Sequence, residues 1–182
     1  MSFVVYWLPI LVSAVVVFIA SAAVWMAFKW HDSDFHKTDD EEAVRAALSG
    51  ASPGYYLLPF CKQDPDMLKD EAVRQKFIDG PQAYITVIPN GVPQMGGKLL
   101  GSFVYYLFVG ALCAYILSLT TSPDASYLDV FRVTCTVAWI AYGVAYIQDS
   151  VWFGRPRSMT MKSLLDALIY GLLTGGVFGW LA

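Results

Sequence analysis

The sequence predicts an α-helical integral membrane protein with four transmembrane helices and a small α+β insert on the cytoplasmic side. The chain of 182 residues is 57% hydrophobic and only 15% charged, which lies outside the usual composition of soluble domains. Four long apolar runs each approach the ~20 residues that an α-helix needs to cross a hydrocarbon core. Because backbone polar groups in lipid must be hydrogen-bonded within their own segment, these runs are predicted to be helices. The runs span residues 3–28, 99–120, 127–147 and 164–181.

The distribution of basic residues predicts the orientation. All twelve lysines and arginines except Arg132 lie in residues 29–98 or 155–162. The positive-inside rule therefore places residues 30–98 and 148–163 in the cytoplasm. Both termini are then expected on the opposite side of the membrane.

Two patterns in the sequence resemble those of a known group of membrane proteins. The pattern Pro89-Asn90-Gly91 with Gly96, followed by a glycine-lined last run that ends in Phe178-Gly179-Trp180, resembles bacterial inner-membrane proteins. The resemblance implies the bacterial cytoplasmic (inner) membrane. With the orientation given by the basic residues, we expect a multi-pass protein with both termini on the periplasmic side.

The first run, within residues 1–29, is predicted to be a retained transmembrane helix. It contains no basic residue before Lys29 and exceeds the 7–15 residues of a typical signal-peptide apolar region. Residues 30–98 then form a cytoplasmic mini-domain, and residues 99–182 contain transmembrane helices 2–4. Within the mini-domain, capping and turn residues predict helices over 39–48, opened by Thr38, and 65–79, opened by Asp64. The β-rich segments 55–60 and 84–88 are predicted to be two strands that can pair as a ribbon.

The fourth run has a face lined with glycine. Gly171, Gly175 and Gly179 recur every four residues, and Gly176 lies beside them. Such spacing lets helix backbones approach closely and gain dispersion contacts. We therefore predict a helix-packing surface, either inside the bundle or between copies of the chain.

The third run has a polar face, and two interpretations of it are open. Alternating spacings of three and four residues place Arg132 on the same side of the helix as Tyr142, Tyr146 and Asp149. An ionisable residue inside a membrane is a functional hypothesis by default, and a cavity ringed by tyrosines that also include Tyr106 or Tyr170 is one interpretation. The other is structural, with Arg132 extending to the interface and pairing with Asp129. The candidate polar site comprises Arg132, Tyr142, Tyr146, Asp149 and Asp166.

Two further groups of charged residues flank the runs. Lys162 and Asp166 form an i, i+4 pair that is expected to anchor the fourth helix at the interface, with a cytoplasm-facing site of Asp149 and Asp166 as the alternative. A second group of imidazole and carboxylate side chains follows the first run, but it lacks a complete ligand set, so we expect exposed, solvated residues and no metal site. This group consists of His31, Asp32, Asp34 and His36.

Several classes of function are disfavoured by missing patterns. The chain has no P-loop, HExxH, GxSxG, GxGxxG or CxxCH motif, and neither histidine lies within a run, so we expect no cofactor. No basic stripe for nucleic acid is present. The sequence thus favours a non-enzymatic accessory or scaffold subunit in an oligomer or larger complex, whose partners are membrane lipid, a second copy or another membrane protein. The alternative is a small transporter, channel or lipid-handling protein that uses the polar face of the third helix, and an intramembrane enzyme ranks below both.

Overall fold

The computed structural model describes residues 3–61, 65–122 and 124–182. They belong to two compact units. The bundle unit comprises Met1–His36 with Gln94–Ala182, and the insert unit comprises Lys37–Pro93.

The bundle unit contains four helices that are long and apolar enough to cross a membrane, as the sequence predicts. In chain order with the insert elements, these are α1, α4, α5 and α6. Their bounds are Trp7–Phe28 for α1, Met95–Thr120 for α4, Tyr127–Trp152 for α5 and Arg157–Leu181 for α6. Together they indicate a multi-pass membrane protein.

Three of these helices extend past the apolar runs that predicted them. Helix α4 begins at Met95, α5 continues to Trp152, and α6 begins at Arg157, directly after Pro156. Polar residues continue a helix without difficulty where its end leaves the hydrocarbon, because the backbone hydrogen bonds do not depend on apolar side chains. The amide of Thr160 donates to the carbonyl of Pro156 at 3.0 Å and starts α6 in this way.

The four long helices form a closed ring of neighbours. Helix α1 packs against α4 and α6, and α5 packs against α4 and α6, with the α5–α6 pair in the most extensive contact. Small side chains fill much of the centre, including Ala14, Cys113, Ala114 and Ala138, all fully buried. Phe178 is the largest fully buried side chain of this core.

Two of the helices contain a π-helical turn, which is rare and occurs most often at functional sites. The last turns of α1, Ala23–Phe28, are π-helical and end at Lys29, whose φ of 52° is left-handed. In α5 the π-helical turn is Ile140–Val144. The turn in α1 ends that helix, whereas the turn in α5 lies near the middle of Tyr127–Trp152.

The insert unit is a small α+β structure whose two strands pair as the sequence suggested. Its elements are α2 (Glu41–Leu48), β1 (Gly54–Leu58), α3 (Glu71–Asp79) and β2 (Ala83–Val87). The strands are antiparallel, with Tyr56 opposite Ile85. Among the described residues of this unit none is buried.

The helix starts in the insert differ from the predicted ones. Asp40, rather than Thr38, caps α2, because its Oδ1 accepts the amide of Ala43 at 2.9 Å. The predicted helix 65–79 is divided into a 3-10 turn, Pro65–Lys69, and α3, which Asp70 caps. The predicted cap Asp64 lies outside the described residues.

A ligand-sized cavity and a buried ionic cluster in the helix bundle

A cavity of about 230 Å³ lies between the four long helices at the end of the bundle where α1 finishes. We call it the tyrosine cavity. Every one of the four helices contributes to its wall. The lining residues are Trp25, Ser102, Tyr105, Tyr106, Tyr142, Tyr146, Ser163, Asp166, Ala167 and Tyr170.

Aromatic rings in edge-to-face contact form most of this wall. The ring of Tyr142 lies 5.8 Å from Tyr105, 5.9 Å from Tyr106 and 5.8 Å from Tyr170, with interplanar angles of 74° to 88°. This geometry is the favourable one for ring quadrupoles. It fixes the rings against one another, so the cavity keeps its shape.

The π-helical turn of α5 takes part in the wall. The hydroxyl of Tyr105 on α4 donates to the backbone carbonyl of Ala141 at 2.6 Å. Ala141 lies within the turn Ile140–Val144, where the regular hydrogen-bond ladder of the helix is interrupted. The interruption leaves a carbonyl able to accept a bond from the neighbouring helix.

Two buried polar atoms in the wall have no hydrogen-bond partner among the described residues. They are the Oδ1 atom of Asp166 and the hydroxyl of Tyr170. Asp166 is only 5% exposed and Tyr170 only 7%. The indole of Trp30 interacts with the Asp166 carboxyl, but its nitrogen does not reach hydrogen-bond geometry with it. A carboxylate oxygen that no donor reaches in hydrogen-bond geometry keeps the capacity to accept a bond from a ligand.

The other oxygen of the same carboxyl belongs to a buried ionic cluster. Its Oδ2 atom lies 2.7 Å from Nε2 of His31, and Nδ1 of His31 lies 2.7 Å from Oδ2 of Asp34. Lys162 completes the cluster, with its Nζ 2.6 Å from Oδ1 of Asp34. The side chains of His31 and Asp34 are each 2% exposed and are shielded from solvent, whereas Lys162 is 27% exposed. The ionic cluster consists of His31, Asp34, Lys162 and Asp166.

The segment after α1 folds back to build this cluster. The left-handed residue Lys29 reverses the chain, and the short 3-10 turn Asp32–Asp34 follows. Lys162 then donates to the carbonyl of Trp30 at 2.7 Å and to the hydroxyl of Ser33 at 2.8 Å. With the bond to Asp34 these use all three donors of the ammonium group.

His31 also connects the cluster to the cavity wall. Its ring stacks on Trp25, a cavity residue, with ring centroids 4.1 Å apart and planes 12° from parallel. Lys162, through its hydrogen bond, holds the pKa of Asp34 below its ordinary value, and His31 acts in the same direction, whereas burial opposes both. The charged form of Asp34 is therefore favoured in the fold.

Arg155 supplies a positive charge beside the cavity. Its guanidinium lies over the ring of Tyr146, 4.5 Å from the centroid, and its Nη2 donates to the hydroxyl of Ser163 at 2.8 Å. Its Nε is buried without a hydrogen-bond partner among the described residues.

Two expectations about charged residues were wrong. His31 and Asp34 are buried rather than solvated, because the left-handed turn at Lys29 returns the segment to α6. Lys162 and Asp166 do not pair with each other; each binds a residue of the 31–34 segment instead. Each of the two side chains binds an oppositely charged partner from that segment. The spacing of residues along α6 alone does not reveal these partners. Within the described part of the chain, no group of three or more His, Cys, Asp or Glu side chains is arranged to hold a metal ion.

The candidate polar site of the sequence divides into two parts. Tyr142, Tyr146 and Asp166 all line the tyrosine cavity. Arg132 is 72% exposed, with its Nη1 3.9 Å from Asp129 near the start of α5. Asp149 is half-buried and does not line the cavity. The sequence alone did not assign Trp25, Tyr105 or His31 to this site, because they belong to other helices or to a loop.

The glycines of α6 lie at the opposite half of the bundle and face α5 of the same chain. A Cβ atom added at Gly175 would lie 2.8 Å from Cβ of Cys135, and one at Gly179 would lie 2.7 Å from the ring of Tyr127. At Gly171 it would lie 3.1 Å from the carbonyl of Cys135. Gly176 faces Tyr127 more loosely, at 3.8 Å from the hydroxyl. These glycines therefore permit the close α5–α6 contact.

Comparison of the chain with protein-family models, curated proteins and solved structures finds no match. Function must therefore be argued from the cavity and its surroundings.

Proposed function

We propose that this protein binds a small polar solute in the tyrosine cavity and acts as a small membrane transporter. The observation that carries the proposal is the Oδ1 atom of Asp166, a residue of the cavity wall, which is buried without a hydrogen-bond partner among the described residues. Of the two principal functions that the sequence left open, this is the transport function. It uses the tyrosines of α5 together with residues from the three other long helices.

A purely structural explanation of Asp166 is weak on energetic grounds. A buried acceptor left unsatisfied costs roughly 1–3 kcal/mol, and more when it is charged. An acidic residue inside a membrane helix is costly in itself. Of its two oxygens, Oδ2 is satisfied by His31, whereas Oδ1 has no partner in hydrogen-bond geometry among the described residues and would be satisfied by a bound solute.

The size of the cavity restricts the solute. Since one molecule of liquid water occupies about 30 Å³, a volume of about 230 Å³ accommodates a compact molecule and not a whole lipid. Under the proposed orientation, with both termini outside a bacterial cytoplasmic membrane, the cavity lies at the cytoplasmic end of the bundle.

A solute screen by thermal denaturation tests the proposal. The purified full-length chain in uncharged detergent is heated with amines, amino acids, sugars and carboxylic acids. The variant Ser102→Trp places an indole at the cavity wall, and Leu100→Trp places the same group on the exposed surface of α4, where Leu100 is 65% exposed. A true ligand raises the melting temperature of the wild type and of Leu100→Trp but not of Ser102→Trp. If no solute distinguishes these variants, the cavity does not bind small solutes and the proposal fails.

A second candidate function, the accessory or scaffold role, is favoured by the insert unit. Large apolar side chains of this unit are exposed, among them Tyr55 at 60%, Ile78 at 67% and Ile88 at 67%. Surfaces of this kind often bind partner proteins. The glycines of α6 do not add to this argument, since they face α5 of the same chain.

Native mass spectrometry of the protein released from its own membrane tests the second candidate. An accessory subunit is expected to retain a stoichiometric partner, whether another membrane protein or a second copy. Replacing Ile78 and Ile88 with Ser should release that partner. A monomer that carries only lipid would exclude the accessory role.

A further inference from the structure

The lining of the tyrosine cavity indicates the chemical class of its ligand, and this step rests on the proposed solute-binding function. The wall contains the rings of five tyrosines and Trp25 together with the carboxyl group of Asp166. The guanidinium of Arg155 already covers one of these rings, that of Tyr146. Aromatic faces attract cations through their quadrupole. An acceptor without a donor complements a group with several N–H bonds. An ammonium group meets both requirements, since it is a cation and has several N–H bonds.

The hydrogen bonds of His31 fix the number of protons in the cluster. Each ring nitrogen lies 2.7 Å from a carboxyl oxygen, Nδ1 from Asp34 and Nε2 from Asp166. An ionised carboxylate only accepts hydrogen bonds, and a neutral imidazole has only one N–H. Two such short contacts therefore need two protons, held either by imidazolium or by a neutral imidazole and one protonated carboxyl.

Both of these arrangements give the same charge. Imidazolium with two carboxylates sums to −1, and neutral imidazole with one carboxylate and one carboxylic acid also sums to −1. Lys162 adds +1, so the ionic cluster is neutral when both hydrogen bonds are made. The inference does not depend on which atom carries the shared proton.

A cation that enters the cavity changes this balance. It would add a positive charge beside a buried neutral cluster, which is costly away from water. Release of one of the two protons on His31 and Asp166 restores neutrality and leaves Asp166 as a full carboxylate for the ammonium group. We propose that the tyrosine cavity binds the ammonium group of a small organic cation in exchange for one proton of the His31–Asp166 pair.

The other titratable and charged groups around Asp166 do not replace this proton. The tyrosines of α4, α5 and α6 that line the same cavity have hydroxyls that are uncharged near neutral pH. Lys162 keeps its ammonium group bound to three acceptors, and Arg155 does not lose its proton. The hydroxyls belong to Tyr105, Tyr106, Tyr142, Tyr146 and Tyr170.

Isothermal titration calorimetry of the full-length protein with propylammonium chloride tests this inference. Titrations at one pH in phosphate and in HEPES, whose ionisation enthalpies differ, yield the number of protons released per cation bound. We expect one cation and about one proton. At pH values where the free protein holds both protons of the pair, release of one proton makes the affinity rise about tenfold for each unit of pH. The neutral analogue 1-propanol should bind at least tenfold more weakly.

Three variants separate the roles of the residues. Asp166→Asn should abolish both cation binding and proton release, whereas Asp129→Asn, an exposed acid at the other end of the bundle, should change neither. His31→Gln should still bind propylammonium in preference to 1-propanol, but with a pH dependence of affinity that differs from the wild type, because the Asp166 carboxyl alone then holds the exchanged proton. This variant keeps the inference testable even if Asp166→Asn fails to fold.

Several outcomes would overturn the inference. Binding of propylammonium to the wild type without proton release excludes the exchange. Equal affinity for 1-propanol excludes a cationic ligand. If neither probe binds while another solute class stabilises the wild type but not Ser102→Trp, the cation inference fails and the solute-binding function remains.

The ammonium group can belong to a soluble amine or to an aminolipid headgroup at the membrane surface. Titration in uncharged maltoside micelles, with and without phosphatidylethanolamine, distinguishes these sources. If the headgroup occupies the cavity, the lipid competes and the apparent propylammonium affinity falls. If the ligand is a soluble amine, the affinity is the same in both.

Discussion

The buried pair of Lys162 and Asp34 allows the packing of the 31–34 segment against α6 to be tested quantitatively. In Lys162→Met the side chain keeps its length but loses the charge. Asp34, at 2% exposure, then loses its cationic partner, while the carbonyl of Trp30 and the hydroxyl of Ser33 lose a donor. Removing one partner of a buried pair typically costs about 3–5 kcal/mol of unfolding free energy. Because Lys162 is 27% exposed and water replaces part of its role, we expect a smaller loss than for a fully buried pair but a larger one than for an exposed pair.

A double-mutant cycle separates the energy of the ion pair from the packing energy of the lysine side chain. Lys162→Met with Asp34→Asn leaves no unpaired buried charge at that position, so the double variant should be measurably less destabilised than the sum of the two single effects. Arg132→Gln is the matched control. Its pair with Asp129 is long and exposed, at 3.9 Å, and should contribute less than about 1 kcal/mol.

Unfolding by sodium dodecyl sulfate in mixed micelles, followed by tryptophan fluorescence, measures these differences. The bundle tryptophans Trp25 and Trp30 lie beside the ionic cluster and report its loss. The account of the cluster is refuted if Lys162→Met costs no more than Arg132→Gln and the cycle shows no coupling.

Three further predictions concern other parts of the chain. An alkaline phosphatase reporter, which works only in the periplasm, should be active when fused to the C-terminus and inactive when inserted near Gly80; the reverse pattern would invert the proposed orientation. Gly175→Ile should cost about 1–3 kcal/mol by overpacking α5 against α6, whereas Leu172→Ile, at a site 46% exposed, should cost much less in the same unfolding assay. Since the hydrogen bond from Lys162 holds the pKa of Asp34 below its ordinary 3.8, stability gained above pH ~4 is lost as the pH falls below that pKa, and Asp34→Asn should flatten this loss in an acid titration.

The sequence predicted the four membrane helices because their signal is local. Each apolar run can be read without knowledge of the others, since the hydrocarbon thickness sets the length. The two strands of the insert were recognised for the same reason, from β-branched and aromatic residues between turn signals. Their ends shifted by one or two residues, which is the usual uncertainty at helix and strand termini.

The ionic cluster could not be predicted from local sequence signals. His31 and Asp166 are separated by 135 positions, and no periodicity connects a loop residue to a helix residue. The left-handed turn at Lys29 brings them together, although lysine gives no sign of positive φ. Helical spacing did place Tyr142 and Tyr146 on one side of α5. It did not indicate which neighbouring helices these side chains contact, because that depends on packing.

The helices pack differently in the two halves of the bundle, and this difference explains where the cavity lies. In one half, Gly175 and Gly179 bring the backbone of α6 against α5, so no space remains between these helices. In the other half, large rings such as Tyr106 and Tyr142 stand between the helices and hold them apart. A packed core is normally filled by side chains in favourable rotamers; here the rings instead brace one another edge to face and leave a volume in the middle.

The π-helical turns complete this arrangement. An extra residue in a helical turn displaces the side chains that follow it relative to a regular helix. In α1 the turn Ala23–Phe28 carries Trp25, which stacks on His31, and in α5 the turn Ile140–Val144 carries Tyr142 and the carbonyl that binds Tyr105. Irregular backbone in a membrane helix is tolerated where it is buried in protein or lines a cavity. That both turns contribute side chains to the same small volume is the strongest sign that the cavity is a built site and not a gap in packing.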